Sequence, residues 1–162
     1  RVSTTKPSTN YSVALYLKPT KLEVCKTEGK VCDSTRVCKG GHCTCIADSF
    51  EPNNAANAAR DLPLGIAQDL IACPSDEDWF KVDASAKQNL AIHLETSAAV
   101  GQGYFVNLAV FASDNLETPV AFFHKTKWSE DYQLQLPKAG LYLLRVRTVD
   151  FWRNYRLQVS LK

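Results

Sequence analysis

Five of the six cysteines fall between Cys25 and Cys45, spaced Cys-x6-Cys-x5-Cys-x4-Cys-x-Cys, and the sixth is Cys73. A segment this short cannot bury enough apolar surface to hold one conformation, so crosslinks must supply its stability. The even count argues for three disulfides formed by Cys25, Cys32, Cys38, Cys43, Cys45 and Cys73. Zinc is the competing reading. A structural zinc site shows two Cys-x2-4-Cys pairs, or a Cys pair followed by a His pair, and neither spacing is present. Disulfides at this density imply an oxidising address, outside the cell, at its surface or in a periplasm. Six cysteines allow fifteen pairings, and spacing alone does not choose among them.

The 162 residues have room for one ordinary domain and a small satellite. The composition, 45% hydrophobic and 22% charged, is that of a folded globular chain. A formal charge of +2 without any basic block leaves no electrostatic footprint for nucleic acid. No apolar run reaches the ~20 residues of a membrane span. The start, Arg1-Val2-Ser3-Thr4-Thr5-Lys6-Pro7, lacks the apolar core of a signal peptide, so the chain reads as a mature or excised fragment.

Three segments follow from patterning. Residues 1–21 read as a linker with a strand at Tyr11–Leu17, and they include the weak glycosylation triplet Asn10-Tyr11-Ser12. Residues 22–45 are the cysteine-rich module. Residues 46–162 alternate apolar and polar side chains with a period of two, best seen where Tyr155, Leu157, Val159 and Leu161 face one way. Strands are expected at 66–71, 79–84, 89–96, 104–112, 119–126, 131–136, 141–149 and 155–161, with a brief helix at 54–62. Turn signals between them, such as Gly101-Gln102-Gly103 and Pro137-Lys138-Ala139-Gly140, predict an all-β antiparallel sandwich.

The last segment opens Asp48-Ser49-Phe50-Glu51-Pro52-Asn53-Asn54, continues to Asp76-Glu77-Asp78-Trp79-Phe80, and closes with Gly140-Leu141-Tyr142-Leu143-Leu144-Arg145-Val146 and Tyr155-Arg156-Leu157-Gln158-Val159. In order and content these four motifs resemble the bacterial pre-peptidase C-terminal domain family, which includes collagen-binding domains of collagenases. The resemblance implies a jelly-roll sandwich that accompanies secreted enzymes or surface proteins. The cysteine cluster resembles small growth-factor-like modules, and that resemblance implies Cys25 with Cys38 and Cys32 with Cys43, leaving Cys45 for Cys73.

Glu51, Asn53, Asn54, Asp76 and Asp78 are hard oxygen donors, and two such clusters brought together by strand pairing suit a calcium shell. The alternative is that Pro52 and the asparagines make a turn and cap the 54–62 helix, while Asp76 and Asp78 cap a hairpin. In the collagen-binding relatives, acids just before the Glu-Pro-Asn motif also supply ligands. Here those places hold Ser49 and Phe50, with Asp48 displaced, which weakens the implied site.

No His-Glu-x-x-His, Gly-x-Ser-x-Gly or phosphate loop is present, and His42, His93 and His124 lack an evident catalytic context, so the chain does not read as an enzyme. A candidate ligand-binding surface is Trp128, Arg145, Arg147, Phe151 and Trp152, with Lys127 and Arg153 beside them, because Trp and Arg dominate binding hot spots. The competing reading makes Trp152 a core plug and Arg145 and Arg147 a solvated face. Trp79 is expected in the core. Leu143, Arg145 and Arg147 are expected outward where collagen-binding relatives carry aromatics, so strong collagen binding is not expected. The sequence thus leads to a non-catalytic, calcium-assisted module that binds an extracellular protein or polysaccharide. A structural spacer or maturation appendage is the second possibility.

Overall fold

Each of the eight stretches expected as strands in the last segment contains a strand in the computed structural model, which describes residues 25–33, 35–73, 76–96, 106–125, 128–148 and 153–162. The expected strand at Tyr11–Leu17, the glycosylation triplet, the Gly101-Gln102-Gly103 turn, Lys127, Phe151 and Trp152 lie outside the described residues. The strands are β1 (Val31–Asp33), β2 (Arg36–Lys39), β3 (His42–Cys45), β4 (Arg60–Asp61), β5 (Gln68–Ala72), β6 (Glu77–Ala84), β7 (Asn89–Thr96), β8 (Val106–Ala112), β9 (Ala121–Lys125), β10 (Ser129–Gln135), β11 (Gly140–Thr148) and β12 (Arg153–Leu161).

Two facing sheets, ordered β10-β7-β12-β5 and β4-β6-β11-β8-β9, form the sandwich. Numbered from β5, the eight main strands run 6-3-8-1 and 2-7-4-5, the strand order of a jelly roll. Among the described strands of the sandwich, only β8 and β9 are consecutive and paired within one sheet. Every other step from strand to strand passes from one sheet to the other.

Period two places Leu90, Ile92 and Leu94 of β7 and Tyr155, Leu157 and Val159 of β12 in the interior, facing Phe80 and Val82 of β6 and Tyr142, Leu144 and Val146 of β11. Each such side chain contributes roughly 1.5–3 kcal/mol on burial. β8 departs from alternation because it is covered on both faces. Val106, Leu108 and Val110 enter the central core, while Ala109 and Phe111 join a second cluster with Trp79 and Leu143. Trp79 is therefore buried, but on the outer side of its sheet, and its neighbour Phe80 takes the central position.

The helix expected at 54–62 does not form. A 3-10 turn spans Ala56–Ala58, its N-cap is Ala55 without a side-chain cap, and Arg60–Asp61 runs parallel to β6. The backbone on either side is already committed to β6: Asn53 O accepts from Trp79 N, and Leu62 N donates to Lys81 O. A short helix with a costly nucleus does not outweigh those sheet contacts.

In the cysteine-rich segment, β1, β2 and β3 form an antiparallel meander. Lys39 pairs with His42 across a two-residue turn in which Gly40 and Gly41 have φ of 59° and 78°, a conformation that L side chains resist. The disulfides are Cys25–Cys38, Cys32–Cys43 and Cys45–Cys73, the pairs implied by the resemblance, and no cysteine is free. The third fastens the meander to the turn after β5. Among the described residues no helix is long and apolar enough to cross a membrane.

Candidate functional site

At one end of the sandwich the chain leaves β5, passes the Cys45–Cys73 bridge and enters β6 in the opposite sheet. Asp78 is the second residue of β6 and shares the inward face of Phe80 and Val82, so the strand's own periodicity carries a carboxylate into the interior, where it is 1% exposed. The Tyr155 hydroxyl of β12 donates to Asp78 Oδ2 at 2.7 Å across the two sheets. Asp78 Oδ1 is buried without a hydrogen-bond partner.

Two further carboxylates converge on it. Glu51, Asp76 and Asp78 each present an oxygen within 4.8 Å of the others. Oxygens held by one calcium ion at ~2.3–2.6 Å lie at most about 5 Å apart, so this spacing fits a common cation. Asn53 anchors the loop to β6. Its amide donates to Glu51 Oε2 at 3.0 Å, its Nδ2 donates to Trp79 O at 3.4 Å, and its Oδ1 is left buried and unpartnered. Asn54 is exposed and lines a cleft with Glu51, Asp76 and the Cys45–Cys73 bridge.

The turn-and-cap alternative survives in part. Asp76 Oδ1 accepts from Glu77 N at 2.9 Å and Glu51 closes a local turn on Asn53, but neither asparagine caps a helix and Asp78 caps nothing. Asp48, displaced in the sequence, is not one of the three converging acids. Its carboxylate accepts from Phe50 N at 2.8 Å and Ile71 N at 3.0 Å, clasping the loop to β5. Sequence reading missed this clasp and Tyr155. Tyr155 belongs to the inward stripe of β12, and the signal in the sequence is a polar hydroxyl at the start of an otherwise apolar face.

Burial pushes the Asp78 carboxyl up to about 7; the Tyr155 hydrogen bond opposes the shift, and the charges of Asp48, Asp76 and Glu51 add to it. Burial also raises Glu51, the Asn53 amide works against it, and Asp76 and Asp48 raise it further. Four acids thus crowd one end of a core, a charge arrangement that is costly by itself and that a divalent ion relieves.

Of the five residues expected to form a ligand-binding surface, Arg145, Arg147 and Trp128 are among the described residues. Arg145 and Arg147 stand on the outer face of β11, whereas Trp128, 54% exposed, immediately precedes β10 of the other sheet, and its carbonyl accepts from Thr96 N of β7 at 2.9 Å. Arg145 is not simply solvated. Its guanidinium lies 5.5 Å from the Trp79 ring centroid and 5.3 Å from that of Phe111, and it reaches Glu77 at 3.4 Å. Leu143, expected outward to solvent, is buried beside them at 6% exposure. Arg145 therefore covers the second cluster, and Arg145→Ala is expected to cost ~1–2 kcal/mol by thermal denaturation. Arg147→Ala, at a half-exposed position 3.9 Å from Glu77, should stay within ~0.5 kcal/mol of wild type. Equal effects would remove the stacking account.

His93 donates or accepts at both ring nitrogens, 2.7 Å from Asp131 Oδ1 and 3.0 Å from Glu95 Oε1, on the outer face of β7 and β10. Hydrogen bonds that the imidazolium donates to Glu95 and Asp131 raise its pKa. The arrangement ties the edge strand β10 to its neighbour.

Fold and site together define a disulfide-fastened jelly-roll domain with a carboxylate cluster at the β5–β6 crossover. No protein-family model and no curated protein matches the chain. Among solved structures, it is similar to a periplasmic inhibitor of g-type lysozyme from Aeromonas hydrophila, with a TM-score of 0.51 and 15% identity over 64% of this chain and 96% of that one. This likeness shows a shared fold. A pre-peptidase C-terminal domain of collagenase from Bacillus anthracis aligns with a TM-score of 0.47 and 14% identity, covering 64% of this chain and 94% of that one.

Proposed function

We propose that the chain is a non-catalytic, calcium-stabilised binding module of an extracellular or periplasmic protein. The observation that carries the reading is the convergence of Glu51, Asp76 and Asp78 within 4.8 Å, with Asp78 Oδ1 and the nearby Asn53 Oδ1 buried and unpartnered. Hard carboxylate and amide oxygens are calcium's ligands, and Asn54 on the open side of the cleft can complete the shell with water. Three disulfides agree with an oxidising compartment. The four sequence motifs favour membership of the pre-peptidase C-terminal family, in which such a module serves a larger secreted protein.

Calorimetric titration of the oxidised chain with calcium chloride should show one saturable site. Glu51→Ala and Asp76→Ala should abolish it. Asp114→Ala should retain it, since Asp114 lies in a separate turn paired with Lys138. Titration without saturable heat would leave the motif as a turn and a clasp. The partner is an extracellular protein or polysaccharide, tested by retention of the calcium-loaded module on collagens, polysaccharides and envelope fractions. Failure to bind any of these would favour the spacer role.

A further inference from the structure

We propose that the Cys45–Cys73 bridge makes the calcium site redox-dependent: intact, it holds the two ligand-bearing stretches in register, and on reduction they separate and the ion is released. The inference rests on the calcium reading above and concerns its regulation.

The two sulfurs are part of the site's wall. Cys45, Cys73, Glu51, Asn54 and Asp76 line one cleft. Cys73 also begins the turn that carries Asp76, with Asp76 N donating to Cys73 O at 3.2 Å. From Cys45 a six-residue step along the chain leads to Glu51. One bridge, with a sequence separation of 28, thus pins the base of both ligand stretches. The remaining ties differ along the site. Asp78 is fixed by its strand and by Tyr155, and Asn53 by Trp79, so both persist without the bridge. Asp76 and Glu51 lie nearer the open cleft; the Asp48 clasp holds the Glu51 loop to β5, and the crosslink ties that loop to the turn bearing Asp76. Asp78 Oδ1 within the cluster and Oδ1 of Asn53, a residue 1% exposed whose amide N–H donates to Glu51, are both buried without a hydrogen-bond partner, which leaves acceptors for a cation.

The chemistry balances as a thiol–disulfide exchange. A dithiol reductant transfers two electrons and two protons to the Cys45–Cys73 bond; that bond breaks into two thiols while the reductant closes its own disulfide. Because coupling between sites is reciprocal, bound calcium must protect the Cys45–Cys73 bridge from reduction by the same factor by which reduction weakens calcium binding. A tenfold coupling corresponds to about 30 mV for this two-electron couple.

The test uses the full chain in dithiothreitol redox buffers, with calcium chloride or chelator. The fraction of each disulfide is read by alkylation and peptide mass mapping. Saturating calcium should make Cys45–Cys73 at least tenfold harder to reduce and leave Cys32–Cys43, which lies within the meander, unchanged. A Cys45→Ser/Cys73→Ser variant, where it folds, should bind calcium at least tenfold more weakly than the oxidised wild type. If oxidised wild type binds calcium but Cys45–Cys73 reduces equally with and without it, the redox coupling is overturned and the calcium site stands. If oxidised wild type binds no calcium, both fall. A protective effect shared equally by Cys32–Cys43 would also overturn the proposal, because it would report global stabilisation and not a local linkage.

Discussion

As pH rises from about 4 to about 7 in the presence of a chelator, the stability of the wild type relative to Asp78→Asn should fall by on the order of 4 kcal/mol. Below about 4 the Asp78 carboxyl is protonated in both folded and unfolded chains. Between its ordinary value of 3.8 and the folded value of about 7, the unfolded chain ionises while the folded one keeps its proton. The folded state then binds more protons, so stability declines with pH, and the decline ends above about 7. The comparison must be made against Asp78→Asn, since Asp69 and Asp114, lowered by hydrogen bonds from Arg156 and Lys138, act in the opposite direction. Asn keeps an acceptor for Tyr155 and carries no charge. Calcium requires the ionised carboxylate, so it should raise the wild-type midpoint more at about pH 8 than at about pH 5. At a hundredfold excess over Kd the gain is ~2.7 kcal/mol, or several degrees. Asp78→Asn should lose most of that rise. Parallel wild-type and variant profiles would show that the buried carboxyl is not held protonated.

Phe80→Ala is expected to cost ~3–5 kcal/mol, lowering the midpoint by roughly 6–20 °C. Phe80 is 0% exposed and lies at the centre of the main core. It also touches the site through one contact: its ring packs edge-on against Phe50, 5.4 Å between centroids at 78°. Phe50 immediately precedes Glu51, so the cavity left by the substitution should loosen a calcium ligand as well as the core. Leu90→Ala is the matched control. Leu90 is equally buried, sits at the far end of β7 beside Leu134 and Leu161, and should cost ~2–5 kcal/mol without weakening calcium. The readout is calcium affinity at a temperature where both variants remain folded. If both bind calcium as wild type does, Phe50 packing does not position Glu51.

Where a residue's role was set by its immediate neighbours along the chain, it was legible in the sequence. The stripes Leu90-Ile92-Leu94 and Tyr155-Leu157-Val159 show their faces because a strand turns each successive side chain over, and one buried face requires apolar residues at every second place. The Gly40-Gly41 turn is likewise visible, because the backbone there needs a conformation few other residues adopt. The five candidate calcium donors were also visible as chemical types.

Other roles depended on what the fold brought alongside. Trp79 and Phe80 are adjacent apolar aromatics, and only the covering of the outer face by Ala56, Ala59 and Arg145 decides that both are buried, in different clusters. The 54–62 segment has the composition of a short helix, yet its carbonyl and amide partners were already supplied by β6, more than fifteen residues on. Trp128 and Arg145 are alike in the sequence as hot-spot residue types, and only the fold shows Trp128 exposed and Arg145 laid over Trp79 and Phe111. The sequence by itself determined the strands, the crosslinking chemistry and the oxygen donors, because these follow from local periodicity and residue type. Only the tertiary structure decided which donors meet, since the jelly-roll crossing sets Tyr155 of one sheet against Asp78 of the other, 77 residues apart along the chain, and distance in space is set by packing that no local pattern encodes.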